Sequence, residues 1–239
     1  MDSLRVQKFI ADCGICSRRA AEKLIGEERV SINGVPAHLG SKVTPGTDHV
    51  EIDGKPVRSR RGGKIYLMLY KPRGYVTTVS DELGRKCVMD MLSSVRERVY
   101  PVGRLDKDSE GLLIVTNDGD LANKLTHPKN RVGKTYRVIV QGSVNRDQIT
   151  ALGGGVVIDD GYTTAPADVE ILRVKDDRTI LGITIYEGKN RQIRKMCEAV
   201  GLEILRLKRE KIGDLSIGTL RAGQYRHLEE NEIEYLKKI

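Results

Sequence analysis

The apolar positions of this chain change their period as the sequence runs. Val6, Phe9, Ile10 and Cys13 stand at i, i+3, i+4 and i+7, the stripe of an amphipathic helix, and Gly14 follows where a C-terminal cap belongs. Ser17 is a good N-cap for a second helix whose apolar face is Ala20, Ala21, Leu24 and Ile25. Val30-Ser31-Ile32 then alternates as a strand does, and Asn33-Gly34 is a strong hairpin signal; Val50-Glu51-Ile52-Asp53-Gly54 repeats the combination. From Gly54 to Lys64 the stretch GKPVRSRRGGK has no period and reads as a flexible basic linker.

Further along, period-two and short apolar runs dominate. Lys64 to Tyr70 is an apolar strand ending at Lys71-Pro72, where the proline favours a sheet edge or a loop. Val99 to Gly103 and Leu112 to Thr116 are two strands flanking a polar loop, Arg104 to Gly111. Asp118 caps a short helix that runs through Leu125 and stops at Pro128. Tyr136, Val138 and Val140 alternate on a strand, as do Leu181, Ile183 and Ile185 on another. Ile193, Met196, Cys197 and Val200 mark a helical stripe closed by Gly201. Strands outnumber helices without a regular βαβ order, which predicts an α+β fold. The expected division is a small module over 1–57, a basic linker over 58–64 and a larger domain over 65–239.

Composition narrows the partner. The 239 residues carry 41 Lys plus Arg against 33 Asp plus Glu, a net +8. Such an excess points to a polyanion, whose counterions clustered cations release. No apolar run is long enough to cross a bilayer, and the first residues lack the pattern of a secretory signal, so a cytoplasmic protein with no membrane partner is expected. Cys13 and Cys16 form one C-x-x-C, but a structural zinc site needs a second ligand pair, and none is visible; no metal is expected, and the thiols read as reduced.

Two resemblances then bring function in. Leu4-Arg5, Gly14, Ser17-Arg18-Arg19-Ala20-Ala21, Leu24-Ile25, Val30-Ser31-Ile32-Asn33-Gly34, Gly40 and Val50-Glu51-Ile52-Asp53-Gly54 together resemble the S4-type RNA-binding domain. That family meets structured RNA with the basic surface of its helix pair, which implies RNA contacts for Arg5, Lys8, Arg18, Arg19 and Lys23. One departure is Gly26-Glu27-Glu28-Arg29, where a glycine nearer Val30 is more usual. Downstream, Gly103-Arg104-Leu105-Asp106 followed by Glu110-Gly111-Leu112-Leu113 and Thr116-Asn117-Asp118-Gly119 resembles the central motif of pseudouridine synthases. Lys71-Pro72-Arg73-Gly74, Lys134-Thr135-Tyr136-Arg137-Val138 and Glu187 to Met196 resemble that family's other motifs, in order. The branch that modifies uridines of small- and large-subunit ribosomal RNA, which joins the two domains, fits best. It implies a mixed, mainly antiparallel sheet with flanking helices.

From spacing alone, Asp106, Asp108 and Glu110 are equivalent acids of one loop. The resemblance selects Asp106 as the catalytic carboxylate, acting as nucleophile at the sugar or as base toward a sugar proton, with Arg194 paired to it and Tyr136 stacked on a flipped base. It further places Ile185 beneath the uracil, and Arg104, Lys71, Arg191 and Lys189 with the substrate, Lys71 more as support for the loop than as a reacting group. The reaction is redox-neutral and calls for no cofactor. Glu187 to Lys211 holds eight cations and four acids, a net +4 and half the whole-chain excess. With Arg58, Arg60 and Arg61 of the linker it predicts an RNA track. The expected protein is a monomer that acts on ribosomal RNA or a pre-ribosomal particle, with large-subunit RNA favoured over small-subunit RNA. A non-catalytic assembly factor has no need of Asp106, Tyr136 and Arg194 together. A hydrolase of small acidic substrates leaves the basic module unexplained.

Overall fold

The computed structural model describes residues 3–58, 63–159 and 161–239. The chain divides into two compact units: Met1–Ile65 with Arg96–Arg98 and Asn117–Gly119, and the remainder.

In the first unit a short strand β1 (Leu4–Arg5) leads directly into α1 (Val6–Asp12), which buries Val6 and Ile10; Gly14 follows at φ +74°. The Ser17 hydroxyl accepts the N–H of Ala20 at 3.1 Å and so starts α2 (Arg18–Gly26). Ala21 and Ile25 are buried and Leu24 is half-buried, but Ala20 is exposed, so the apolar face is narrower than its pattern. Strands β2 (Val30–Ile32) and β3 (Val35–Pro36) turn through Asn33-Gly34. Beyond β4 (Lys42–Val43), which pairs with β1, strands β5 (Val50–Ile52) and β6 (Lys55–Pro56) turn through Asp53-Gly54. All four turn residues have positive φ, +52°, +82°, +50° and +70°, the requirement of a two-residue type I′ turn. Lys55-Pro56 therefore belongs to a hairpin and not to a flexible linker.

The second unit is built on one sheet from β7 (Tyr66–Lys71), β8 (Tyr100–Pro101), β9 (Glu110–Thr116), β10 (Lys134–Gln141), β13 (Asp168–Val174), β14 (Arg178–Ile185), β15 (Ile204–Ile212), β16 (Leu215–Ser216) and β17 (Tyr225–His227). The small hairpin β11 (Val157–Ile158) and β12 (Tyr162–Thr163) stands apart from it. The sheet order is β13-β14-β10-β15-β9-β7-β17, with β8 on β9 and β16 on β15. Among the described residues its pairings are antiparallel except β15 with β9. Strand β7 has neighbours on both sides, so the edge position suggested by Pro72 is not taken; the proline lies just past the strand's end. Strands β7 and β9 are buried along their whole length, which is why they read as continuous apolar runs.

Helices α3 (Gly119–Thr126), α4 (Arg146–Gly154), α5 (Gln192–Ala199) and α6 (Glu230–Lys238) flank the sheet. Two apolar cores result. One gathers Val138, Val140, Leu181 and Ile183 with α4 and α5; the other gathers Met68, Leu112 and Ile114 with α3 and α6. Leu105, Tyr136, Ile185 and Ile193 belong to the first, while Val102, Leu125, Val132 and Ile212 belong to the second.

Candidate active site

A cleft of about 300 Å³ opens where residues of these two cores meet, and Asp106, Arg104, Tyr136, Ile185, Lys189 and Arg191 all line it. Asp106 is half-buried. Its carboxylate makes no hydrogen bond or ion pair with protein groups among the described residues; only its carbonyl is engaged. The two acids that spacing could not separate from it are otherwise occupied. Glu110 is the first residue of β9 and is buried; its carboxylate accepts the Tyr70 hydroxyl at 3.1 Å and binds the Arg206 guanidinium through both oxygens. Burial raises its pKa, but Arg206 and Tyr70 outweigh that and hold it below the usual glutamate range. Asp108 is exposed, with Arg191 at 3.6 Å from its carboxylate.

The loop that carries Asp106 is held through its own backbone carbonyls. Lys71 is fully buried at the end of β7, and its ammonium donates to the carbonyls of Pro72, Asp106, Lys107 and Ser109 at 3.1, 2.9, 3.5 and 2.7 Å. Burial takes its pKa down to about 8, although Asp106, Asp108 and Glu110 pull the other way. The Thr77 hydroxyl donates to the carbonyl of Leu105 at 2.7 Å, and the Gly74 N–H donates to that of Lys107 at 2.8 Å. Lys71 does not line the cleft, because its side chain is enclosed against the loop's carbonyls. What it touches is the loop's backbone and not the cleft wall.

Arg194, on the first turn of α5, donates to the carbonyl of Asp108 at 3.1 Å. The direct ion pair with Asp106 is not formed among the described residues; Arg194 grips the loop two positions on. Burial, then the nearby Arg191, lower its pKa, while Asp108 and Asp106 raise it. Arg191 precedes α5 in left-handed conformation at φ +53°, a strained state for a residue with a side chain, in a segment that lines the cleft.

Sheet register explains the floor. Lys71 stands opposite Gly111, Gly111 opposite Arg209, Arg209 opposite Tyr136, and Tyr136 opposite Ile183, a row across five strands. The row is tight: a Cβ on Gly111 (φ +111°) would lie 2.2 Å from the Arg209 carbonyl oxygen. Tyr136 is 8% exposed, so it is a core residue and a cleft residue at once. Lys134 and Arg209 are among the lining residues that the sequence did not single out. The available signal was that Lys134 lies two residues before Tyr136 and so shares its strand face.

The charge concentration of Glu187 to Lys211 is partly internal. Arg209 is buried, and Lys195, Arg206 and Lys208 are paired with Asp159, Glu110 and Glu210. In the first unit Arg5, Arg18, Arg19 and Lys23 are exposed and Lys8 is half-buried. Arg58 is exposed; Arg60 and Arg61 lie outside the described residues. Cys13 is buried, and burial with Asp12 nearby pushes its thiol up to about 11, so it is a poor thiolate donor for the C-x-x-C pair.

Residues 65–199 match the family described as RNA pseudouridylate synthase, and residues 4–49 match the S4 domain. Ribosomal large subunit pseudouridine synthase B of Bacillus subtilis is 43% identical over 238 residues, covering 98% of this chain and 96% of that protein. The dual-specificity RNA pseudouridine synthase RluF of Shigella flexneri is 38% identical, covering 99% of this chain and 79% of that protein. A crystal structure of a pseudouridylate synthase superposes with a TM-score of 0.69 at 32% identity, covering 98% of this chain and 99% of that one. Motifs, fold and full-length similarity agree, and the chain belongs to the RNA pseudouridine synthases, an isomerase family, in the branch that carries an S4 domain ahead of the synthase domain.

Proposed function

We propose that this enzyme converts a uridine of ribosomal RNA to pseudouridine, that the RNA is that of the large subunit, and that Asp106 is the carboxylate acting at the ribose. The observation that carries the reading is a small cleft lined by Asp106, Tyr136 and Ile185, in which Asp106, alone of the loop acids, has a carboxylate unengaged among the described residues. The target base, flipped out of its helix, stacks on Tyr136 with Ile185 beneath it, since aromatic and apolar faces replace the stacking it gives up. Arg194 adds positive charge beside Asp106 and steadies the loop through Asp108. Arg104, Lys189 and Arg191 meet the RNA around the cleft mouth. The S4 unit supplies a second RNA contact through Arg5, Lys8, Arg18, Arg19 and Lys23, acting as a monomer in the cytoplasm on ribosomal RNA or its precursor particle. Large-subunit specificity is supported by near-full-length similarity to the Bacillus subtilis large-subunit enzyme.

The test is to map pseudouridine in ribosomal RNA from cells lacking the gene, then complement with wild type or Asp106→Asn. Loss of one large-subunit site that only wild type restores is the expected result. A lost site in small-subunit RNA would move the target and keep the chemistry. Identical maps in all strains would overturn the reading.

A further inference from the structure

Lys134 and Arg209 are the cations of the cleft wall that lie on the sheet, and neither has an ion-pair partner among the described residues. Arg209 is 3% exposed; its Nε donates to the carbonyl of Leu112 at 2.8 Å, and its Nη2 is buried with no hydrogen-bond partner among the described residues. Lys134 is half-buried, and its ammonium donates to the carbonyl of Val132 at 3.2 Å. Burial, then the charge of Arg209, holds Lys134 below the ordinary lysine range. Lys71 lies beneath the same loop, and Arg209 is among the charges that lower its pKa. Enclosed like charges without counter-ions cost the fold free energy, so their retention at a cleft calls for a chemical reason.

Geometry supplies it. Directly opposed residues share a sheet face, so Arg209 stands beside Tyr136, while Lys134, two residues before Tyr136, is on the same face and opposite Ile185. On the reading above, Tyr136 and Ile185 hold the base. Isomerisation breaks the bond between C1′ and N1, and its electron pair leaves with the ring. The detached uracil is thus an anion, its charge shared among N1, O2 and O4, until C5 bonds to C1′, the C5 proton is lost to a base and N1 is protonated. No atom is gained or lost.

We infer that Lys134 and Arg209 form the electrostatic floor that stabilises the detached uracil anion. The inference rests on the synthase reading, but assigns the cations to the base rather than to the carboxylate. Fixed positive charge aimed where negative charge develops is among the strongest contributions a protein makes to rate.

Large-subunit rRNA transcripts made with uridine, or with 5-fluorouridine in its place, test this in single-turnover reactions followed by nucleoside chromatography. Fluorine at C5 makes the ring a better leaving anion that needs less help; because it leaves no C5 proton to lose, the rate read on that RNA is the disappearance of 5-fluorouridine rather than the formation of pseudouridine. Lys134→Met and Arg209→Gln should each slow the uridine reaction by roughly a hundredfold or more with little change in apparent RNA affinity. The loss on 5-fluorouridine should be at least about tenfold smaller. Arg209→Lys, which keeps the charge, should recover most of the uridine rate, and it guards against a folding defect in Arg209→Gln. Equal losses on both RNAs would overturn the inference, as would an unaltered rate with uridine. Absence of pseudouridine formation by wild type on large-subunit and small-subunit transcripts and on precursor particles alike would instead remove the synthase reading itself.

Discussion

Lys71 is the residue on which the loop geometry turns. One ammonium satisfies carbonyls of Asp106, Lys107 and Ser109, so truncating it frees the segment that positions the candidate carboxylate. Lys71→Met should lower kcat by about a hundredfold, because a displacement of about 1 Å in a reacting group costs that much, with a smaller effect on RNA affinity. The sign of its pH effect follows from burial. Its folded value, about 8, lies below the unfolded 10.5, so between those values the unfolded chain holds the proton more tightly. The contribution of Lys71 to stability is therefore flat below about pH 8 and increases as pH rises from there toward 10.5. Urea unfolding of wild type and Lys71→Met at pH 7.5 and pH 9.5 checks this: the wild-type advantage should grow at the higher pH. Gly111 is equally specific. A methyl group there meets the Arg209 backbone at 2.2 Å, on a φ that disfavours side chains, and Gly111→Ala should destabilise the synthase unit by about 3 kcal/mol in thermal unfolding. At this scale the sequence presented Asp106, Asp108 and Glu110 as equals. They were separable only by what each touches, which depends on residues such as Arg206, 96 positions away from Glu110.

Among the elements, the exit of α2 shows a local rule broken and compensated. The N–H of Glu28 bonds to the carbonyl of Ile25 and that of Arg29 to Leu24, both at 3.0 Å, a Schellman ending whose left-handed position is held by Glu28 at φ +56°. This is the departure visible in Gly26-Glu27-Glu28-Arg29. The Arg29 guanidinium then binds both oxygens of Asp53 at 2.6 and 2.8 Å, linking the helix exit to the second hairpin. Because a left-handed residue with a side chain is strained, Glu28→Gly should stabilise the S4 unit by up to about 1 kcal/mol, measured by chemical denaturation. Elements governed by near neighbours were legible beforehand: the Ser17 cap, the Asn33-Gly34 and Asp53-Gly54 turns, and the stripes of α1 and α5. Strand β7 was not fully so, since Pro72 marks where a strand ends but says nothing about whether β17 pairs alongside it.

For the whole molecule, net charge +8 and two RNA-associated units make binding dependent on salt. Neutralising Arg58, Arg60 and Arg61 should flatten the slope of log affinity against log salt by roughly two to three, at about 0.7 to 0.9 per phosphate contact, read by filter binding across a salt series. An unchanged slope would exclude those arginines from the RNA track. What the sequence by itself determined is what short spans encode: the two-part composition, the helices and tight turns, the excess of cations, and motifs specific enough to name a family. Tertiary structure decided which side chains converge. Arg209 meets the backbone 97 positions away at Leu112, Lys71 meets it 35 positions away at Asp106, and Tyr136 acquires both neighbours through strand pairing. Burial and register arise only when distant strands align. So the engaged Glu110, the enclosed Lys71 and the cations Lys134 and Arg209 beside the cleft became visible only in three dimensions.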